Sequence, residues 1–411
     1  MADDNEIGQR VRTIRRRRGL SLPTVAGLAG ISKSYLSMIE TGSRRVDSRG
    51  LLDRLAVALG CSVLDLTGEP YAPAHRHTAD ALRAIPDVQL ALADTALDDV
   101  PDLPARPLAE LRAPLRAAHA AYMDQARYDL AGRGLGRMLT DLHIHAVTGD
   151  SDTRREALEL LVEACIVAFG VTKNVGHPDL ALMAAQRGYD AAKLSGDVAL
   201  LAFAGQRRGQ AFQRVGAVRR AGTTLASTLA DTVDEADPAR PDTRVAEGVG
   251  LLHLTAALNA ARAGEAGTAH DHLDAAAELA TRTGERNTFA QHFGPANLGV
   301  WRVSIGAELG DGASVVDAVV PTINLAHLAS ADRVAMLHAD SARALAQDGG
   351  ARDTDAVRLL DTADRAAPAR LRQDPVVRSL VATLARRAHR RTWELDSLRH
   401  RFGVGSQAVN D

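Results

Sequence analysis

Residues 21–42 read SLPTVAGLAGISKSYLSMIETG, from Ser21 to Gly42. The spacing predicts two short helices joined by a tight turn. Leu22, Val25, Ala26 and Ala29 recur at helical intervals, and Gly30 ends the first helix. Ile31 plugs the turn, and Ser32 is placed to cap the second helix through its hydroxyl. Leu36 and Ile39 then face inward, which leaves Lys33, Ser34, Ser37 and Met38 on the outer face.

The flanking residues complete a small unit. IGQRVRTIRRRRGLS reads as a helix with Ile7, Val11 and Ile14 inward, stopped by Gly19. VDSRGLLDRLAVALGCSVLDL reads as a helix with Leu51, Leu52, Leu55 and Leu59 inward, stopped by Gly60, followed by a short helix from Ser62 to Leu66. Five helices in under seventy residues, with the second of a close pair polar and outward, is the way a helix-turn-helix presents side chains to the DNA major groove. The stretch resembles the Cro/CI-like repressors often called XRE. Arg10, Arg18-Gly19-Leu20-Ser21, Val25-Ala26, Ala29-Gly30-Ile31-Ser32, Leu36, Ile39-Glu40, Gly42 and Leu55-Ala56-Leu59-Gly60 carry the resemblance. Two positions depart from it. Leu22 stands where the family usually has a phosphate-touching Gln, and Val46 where it often has Pro.

The resemblance implies a DNA-binding surface. Lys33, Ser34, Ser37 and Met38 face base edges, Ser32 opens the recognition helix, and Thr24, Arg44 and Arg45 touch phosphates. It also implies a bridge from Arg10 to Glu40 holding the first helix to the recognition helix. Family members pair two heads on a palindrome, so a homodimer held by the rest of the chain is expected on a palindromic double-stranded operator.

Charge agrees with one DNA-facing end. Net charge is −2, yet residues 6–54 hold eleven Lys or Arg against four Asp or Glu. A basic head on an acidic body suits contact with phosphate at one end. The run Arg15–Arg18 lies inside the first helix and reads as phosphate-facing rather than as a targeting signal. Cys61 and Cys165 are the two cysteines of the chain and read as free thiols in a reducing cytosol. No apolar run suggests secretion or a membrane span, so a cytoplasmic protein is expected.

Beyond the head, residues 70–106 read as a linker region. Thr67–Pro73 is a hinge, short amphipathic pieces run from Thr78 to Ile85 and from Val88 to Leu97, and the Pro- and Asp-rich 98–107 is irregular. From residue 107 the chain reads as helix after helix: 107–125, 127–147, 151–170, 178–195, 197–215, 217–235, 242–263, 265–283, 285–309, 311–328, 330–347, 353–366, 370–388 and 391–402. Starts recur in pairs of about 40 to 46 residues, the mark of an α-solenoid of helical hairpins. Ala266, Ala269, Leu273 and Ala276, and likewise Ala181, Ala185, Tyr189 and Ala192, resemble the second helix of a tetratricopeptide (TPR) hairpin. The fold class expected is therefore all-α: a five-helix Cro/CI-like domain over residues 1–69, a linker over 70–106 and a TPR-like solenoid over 107–411. This architecture resembles the peptide-sensing regulators called RRNPP.

In such a solenoid the first helix of each pair lines the concave wall. The polar residues there are Gln206, Arg207, Gln210 and Arg214; Thr255, Asn259 and Arg262; Gln291, His292, Asn297 and Trp301; with Asn324 and His338 further along. The candidate ligand contacts are Gln206, Gln210, Arg214, Thr255, Asn259, Arg262, His292, Asn297 and Trp301. An Asn carboxamide both donates and accepts, so it can clamp a peptide backbone; equally, Asn259 and Asn297 can bridge neighbouring helices. The signal is a peptide or a small molecule.

Nothing points to catalysis. His143/His145 and His270/His272 sit two apart, which on a helix turns the rings away from each other, and His75-Arg76-His77 falls in the hinge. Gly132, Gly134 and Gly136 follow no strand, and no phosphate loop, nucleophile elbow or HExxH occurs. No metal, cofactor or enzymatic activity is expected. A DNA-binding transcription regulator controlled by a bound signal is the leading reading. A DNA-tethered protein-interaction scaffold is the alternative, and a ligand-free phage-type repressor or antitoxin is disfavoured by length.

Overall fold

The computed structural model describes residues 6–46, 48–61, 63–67, 80–388, 390 and 392–404. Ser62, most of the Thr67–Pro73 hinge, His75-Arg76-His77 and the start of the Thr78–Ile85 piece lie outside them. The chain is all-α: helix accounts for 77%, with no strand among the described residues.

Five helices form the head: α1 (Glu6–Arg17), α2 (Leu22–Leu28), α3 (Lys33–Thr41), α4 (Arg49–Leu59) and α5 (Val63–Thr67). Their ends follow from side chains, with Ser32 capping α3 as expected and Ser21 and Ser48 capping α2 and α4 as well. Ser21, Ser32 and Ser48 each accept a backbone N–H of the first turn that follows, at 3.2, 3.1 and 3.1 Å. Gly42 closes α3 at φ 78°, a left-handed conformation that a side chain would strain. Val11, Val25, Ala29, Leu36, Ile39 and Leu55 are fully buried in one core. Leu22 packs against it and Val46 lies inside it, so both departures from the family pattern serve packing.

A second core belongs to the body, and it begins before residue 107. Helix α6 (Ile85–Asp94) buries Ile85, Val88 and Leu92 there. The body continues with α7 (Leu108–Met123), α8 (Tyr128–Ala131) and α9 (Leu135–Thr148). The irregular 98–107 segment, expected to act as part of a hinge, is tied down. Arg106 donates to Asp141 at 2.6 Å, Arg137 donates to the Pro104 carbonyl at 2.6 Å, and a ring nitrogen of His145 bonds the Arg106 carbonyl at 2.7 Å.

Hairpins follow: α10 (Ser151–Asn174) with α11 (Pro178–Ser195), α12 (Val198–Arg214) with α13 (Val218–Thr232), α14 (Arg244–Ala263) with α15 (Ala266–Thr283), α16 (Pro295–Leu309) with α17 (Ala313–Val319), and α18 (Ala331–Asp348) with α19 (Asp353–Ala366). The first helices, α10, α12, α14, α16 and α18, each touch the next of their set and form the inner wall. Small residues at Ala181, Ala185, Ala269 and Ala276 are buried where partner helices close together. The chain ends with α20 (Pro368–Leu371), α21 (Pro375–Arg387) and α22 (Trp393–Arg401).

Four expected helices are shorter or more broken than their periodicity suggests; 370–388 is split between α20 and α21, the latter opening at Pro375. The 127–147 stretch breaks at Gly134, which takes φ 68°. Residues 285–294 form a loop, because Phe289 stacks on Phe203 with ring centroids 4.5 Å apart and Phe293 is buried against Gly250. Burying two phenyl rings outweighs nearly three more turns of helix. The 311–328 stretch is helical only to Val319; Pro321 lacks the next N–H, and two short 3₁₀ turns follow.

Candidate DNA interface and ligand cavity

Lys33, Ser34 and Thr24 are exposed, Ser37 is half-exposed, and Met38 is 38% exposed although apolar. They form one outward face on α2 and α3. Ser32 is committed as the α3 cap, and the Thr24 hydroxyl shares a 2.7 Å hydrogen bond with Ser21. Arg44 is exposed, its guanidinium 5.2 Å from the centroid of the Tyr35 ring. Arg45, expected on a phosphate, is instead buried and donates to the Arg343 carbonyl of α18 at 3.4 Å. The docking described below takes it away from the outer face.

The bridge to Glu40 also differs from expectation. Arg15 supplies it, with Nε on Oε1 at 2.6 Å, Nη2 on Oε2 at 2.7 Å and a third bond from Nη1 to the Leu20 carbonyl at 3.0 Å. Arg15 is buried, whereas Arg10 is half-exposed on the same helix. Helical phase puts Arg15, not Arg10, over the buried carboxylate.

The head sits on the inner wall of the body. The backbone N–H groups of Arg49 and Gly50 donate to Glu308 at 2.9 and 3.4 Å, so a body carboxylate reinforces the N-terminus of α4. The Arg49 guanidinium pairs with Asp374, and Arg54 donates to the Arg262 carbonyl at 3.3 Å. Glu308 also receives Arg343 at 3.3 Å and Arg262 at 3.8 Å. Burial alone would raise the Glu308 carboxyl, but Arg343 and Arg262 hold it below its ordinary value. Asp374 is likewise held well below the usual carboxylate range, burial being overcome by Arg49, Arg214 and Arg370.

Asp53 of α4 goes the other way. Burial, with Glu308 nearby, pushes it up to about 6 despite Arg262. The docked state therefore holds a proton that a freed Asp53, at its ordinary 3.8, has lost. Docking is expected to tighten as pH falls from about 7 to about 4, and this group adds no dependence above about 7. Head–body distance followed with paired fluorescent labels checks it. Asp53→Asn should flatten the curve, and an unchanged curve would remove Asp53 as its cause.

Between head and body lies a cavity of about 230 Å³. The head walls it with Arg49, Leu52, Asp53, Val63 and Thr67, and the five inner helices supply the opposite side. Of the residues expected to meet a ligand, Gln210, Arg214, Arg262 and Trp301 line it. The other five are buried elsewhere. Gln206 lies fully buried with both side-chain polar atoms unpartnered among the described residues. Thr255 donates to the Leu251 carbonyl at 3.0 Å. Asn259 bridges helices, donating to the Val218 carbonyl at 3.3 Å and accepting from Gln213 at 3.4 Å. Asn297 donates to the Gln291 carbonyl at 2.9 Å, and His292 sits in that same loop at φ 52°. Asn324 caps a 3₁₀ turn.

Lys173 and Asn174 at the end of α10, Arg333 and Arg343 on α18, and Arg370 on α20 also line the cavity and were not anticipated. Burial lowers Lys173 well below its ordinary value and lowers Arg207 and Arg214 to about 10. Lys173 and Arg214 keep part of their surface open to the cavity. Among the described residues, no group of three or more His, Cys, Asp or Glu could hold a metal ion, and no helix is long and apolar enough to cross a membrane.

Comparison with known proteins divides along the same line as the fold. The helix-turn-helix domain family matches residues 6–67. The HTH-type transcriptional regulator SinR of Bacillus subtilis (strain 168) is 38% identical over 65 residues, 16% of this chain and 59% of SinR. SinR of Bacillus licheniformis is 40% identical over 63 residues, 15% of this chain and 57% of that protein. The chain thus spans somewhat over half the length of these relatives, within its head alone. The crystal structure of ComR from Streptococcus suis is similar over 67% of this chain and 95% of its own, at 15% identity and a TM-score of 0.20. Residues 6–67 are therefore a helix-turn-helix domain, by sequence match and by their five-helix fold alike.

Proposed function

We propose that this chain is a cytoplasmic DNA-binding transcription regulator, a homodimer on a palindromic operator, whose helical body receives a signal molecule in the cavity beneath the head. One observation carries this reading: head helix α4 and the inner helices of the body wall the same cavity, so whatever fills it touches both. A ligand that favours one head position shifts the population by its differential affinity for the two. The docked position buries Arg45, which the family resemblance expects on a phosphate, so in this reading docking is the weaker DNA-binding state.

Gly50 provides the test. A Cβ there would lie 2.4 Å from the Arg262 carbonyl oxygen and 2.8 Å from its Cα, with backbone on both sides of the clash. Alanine is also a better helix former than glycine by about 1 kcal/mol, so Gly50→Ala should leave the head folded while expelling it from the body. The expected result is several-fold tighter operator binding, read by fluorescence anisotropy, with no further response to host-cell extract. Unchanged affinity together with retained extract sensitivity would sink the coupling.

Lys33 is the best-placed base reader, exposed at the first turn of α3. Its ammonium suits guanine O6 and N7. Lys33→Ala is expected to cost about 1–3 kcal/mol on the specific operator and far less on random DNA. Equal losses on both would make Lys33 a phosphate contact.

A further inference from the structure

We propose that the cavity binds a compact polyanion, a small molecule bearing at least two carboxylate or phosphate groups, held by Lys173, Arg207 and Arg214. The inference rests on the sensor reading above and names the chemistry of its signal.

The cavity lining carries nine Lys or Arg side chains against four Asp or Glu. Three of the four acids are already engaged. Glu308 serves Arg343, Arg262 and the α4 amides, Asp332 pairs with Arg370 at 3.2 Å, and Asp340 takes Arg343 and the Ser304 hydroxyl. Lys173, Arg207 and Arg214 have no carboxylate within ion-pairing distance among the described residues. Arg207 is 2% exposed, stacked 5.1 Å from the Phe203 centroid and 5.9 Å from that of Phe169; it donates to Gln210 at 3.0 Å, and its Nε has no partner among the described residues. Beside it, the buried Asn174 leaves both carboxamide atoms unpartnered, and Trp301 leaves its indole N–H so.

Burying a cation without a counter-charge is costly, and the cost is recovered when an anion with good geometry arrives. Guanidinium groups match carboxylate and phosphate oxygens in paired hydrogen bonds. The unpartnered Asn174 and Trp301 donors point to the same oxygen-rich guest. At about 230 Å³ the space lies below the ~300–1,000 Å³ of drug-sized sites, which favours a compact molecule over an extended peptide.

The test uses the full chain, with citrate and pyrophosphate as probes and sodium chloride at matched ionic strength as control. Melting and calorimetric titration are the readouts. At least one probe should bind saturably and raise the melting temperature, as a ligand of the native state must. Citrate alone would assign the carboxylate source, and pyrophosphate alone the phosphate source. Arg214→Gln should weaken probe binding roughly tenfold or more, because a guanidinium paired with the guest's oxygens is gone. Lys173→Met carries the same expectation should Arg214→Gln fail to fold. Arg358→Gln, 72% exposed on the outer layer, should leave binding intact.

The inference is overturned if neither probe binds saturably, or if the cavity variants bind as well as Arg358→Gln. It stands, and the regulator reading falls, if a probe binds through Arg214 but operator binding ignores it. It falls, and the regulator reading stands, if operator binding responds to host extract while neither probe binds.

Discussion

Glu308→Ala is expected to destabilise the folded chain by about 3–5 kcal/mol, the usual cost of removing one partner from a buried charge cluster. Glu308 is almost fully enclosed, and its two oxygens serve Arg343, Arg262 and the first amides of α4. Without it, two buried guanidinium groups face Arg49 with one acid fewer, and α4 loses an anion at its N-terminus. The head should also dock more weakly, because it keeps Arg49–Asp374, Arg54–Arg262 and Arg45–Arg343 but loses both amide bonds to the body carboxylate. Chemical denaturation monitored in the body, with head–body distance as a second readout, checks both effects. Combining Glu308→Ala with Arg343→Met should recover part of the loss, since a charge left alone is what makes the single change costly. A loss under about 1 kcal/mol, the range of a surface pair, would show that water enters and screens the cluster.

Arg15→Ala should be the most damaging single change in the head, again by about 3–5 kcal/mol. It leaves Glu40, whose side chain is 4% exposed, buried and without its two-pronged partner between α1 and α3. The small head core has little stability in reserve. Operator affinity should fall with the folded fraction of the head and should not recover in low salt. Replacing both residues with apolar side chains, Arg15→Met with Glu40→Leu, should restore much of the stability. If Arg15→Ala melts like the parent, the bridge is not what joins α1 to the recognition helix.

The head was almost wholly legible in the sequence because its signals are local. Ser21, Ser32 and Ser48 cap helices that begin on the next residue, Gly42 ends one in the left-handed conformation, and the apolar spacing of Val25, Leu36, Ile39 and Leu55 is the helical repeat itself. The alternation of inner and outer helices was legible for the same reason. What lay beyond local pattern was the choice between neighbours. Arg10 and Arg15 are five residues apart on one helix, and only the placement of α3 decided which meets Glu40. The helical period runs on through residues 285–294, but the chain leaves it there so that Phe289 and Phe293 can fill spaces against Phe203 and Gly250.

The cavity divides in the same way. Gln210, Arg214, Arg262 and Trp301 could be read from their places on first helices of hairpins. Asn259 and Asn297 have the same kind of place, yet Asn259 is held by Gln213 and the Val218 carbonyl, and the Asn297 amide nitrogen is spent on the Gln291 carbonyl. Lys173 ends a long apolar helix, and Arg370 stands nearly two hundred residues further on. No spacing links Arg49 to Asp374 or the α4 amides to Glu308, and these contacts seat the head on the body. Helix ends and helix faces are set by residues a few positions apart, so a linear reading recovers them. Whether a polar side chain finds its partner in a neighbouring helix or is left facing a cavity depends on groups that only the folded chain brings within hydrogen-bonding distance.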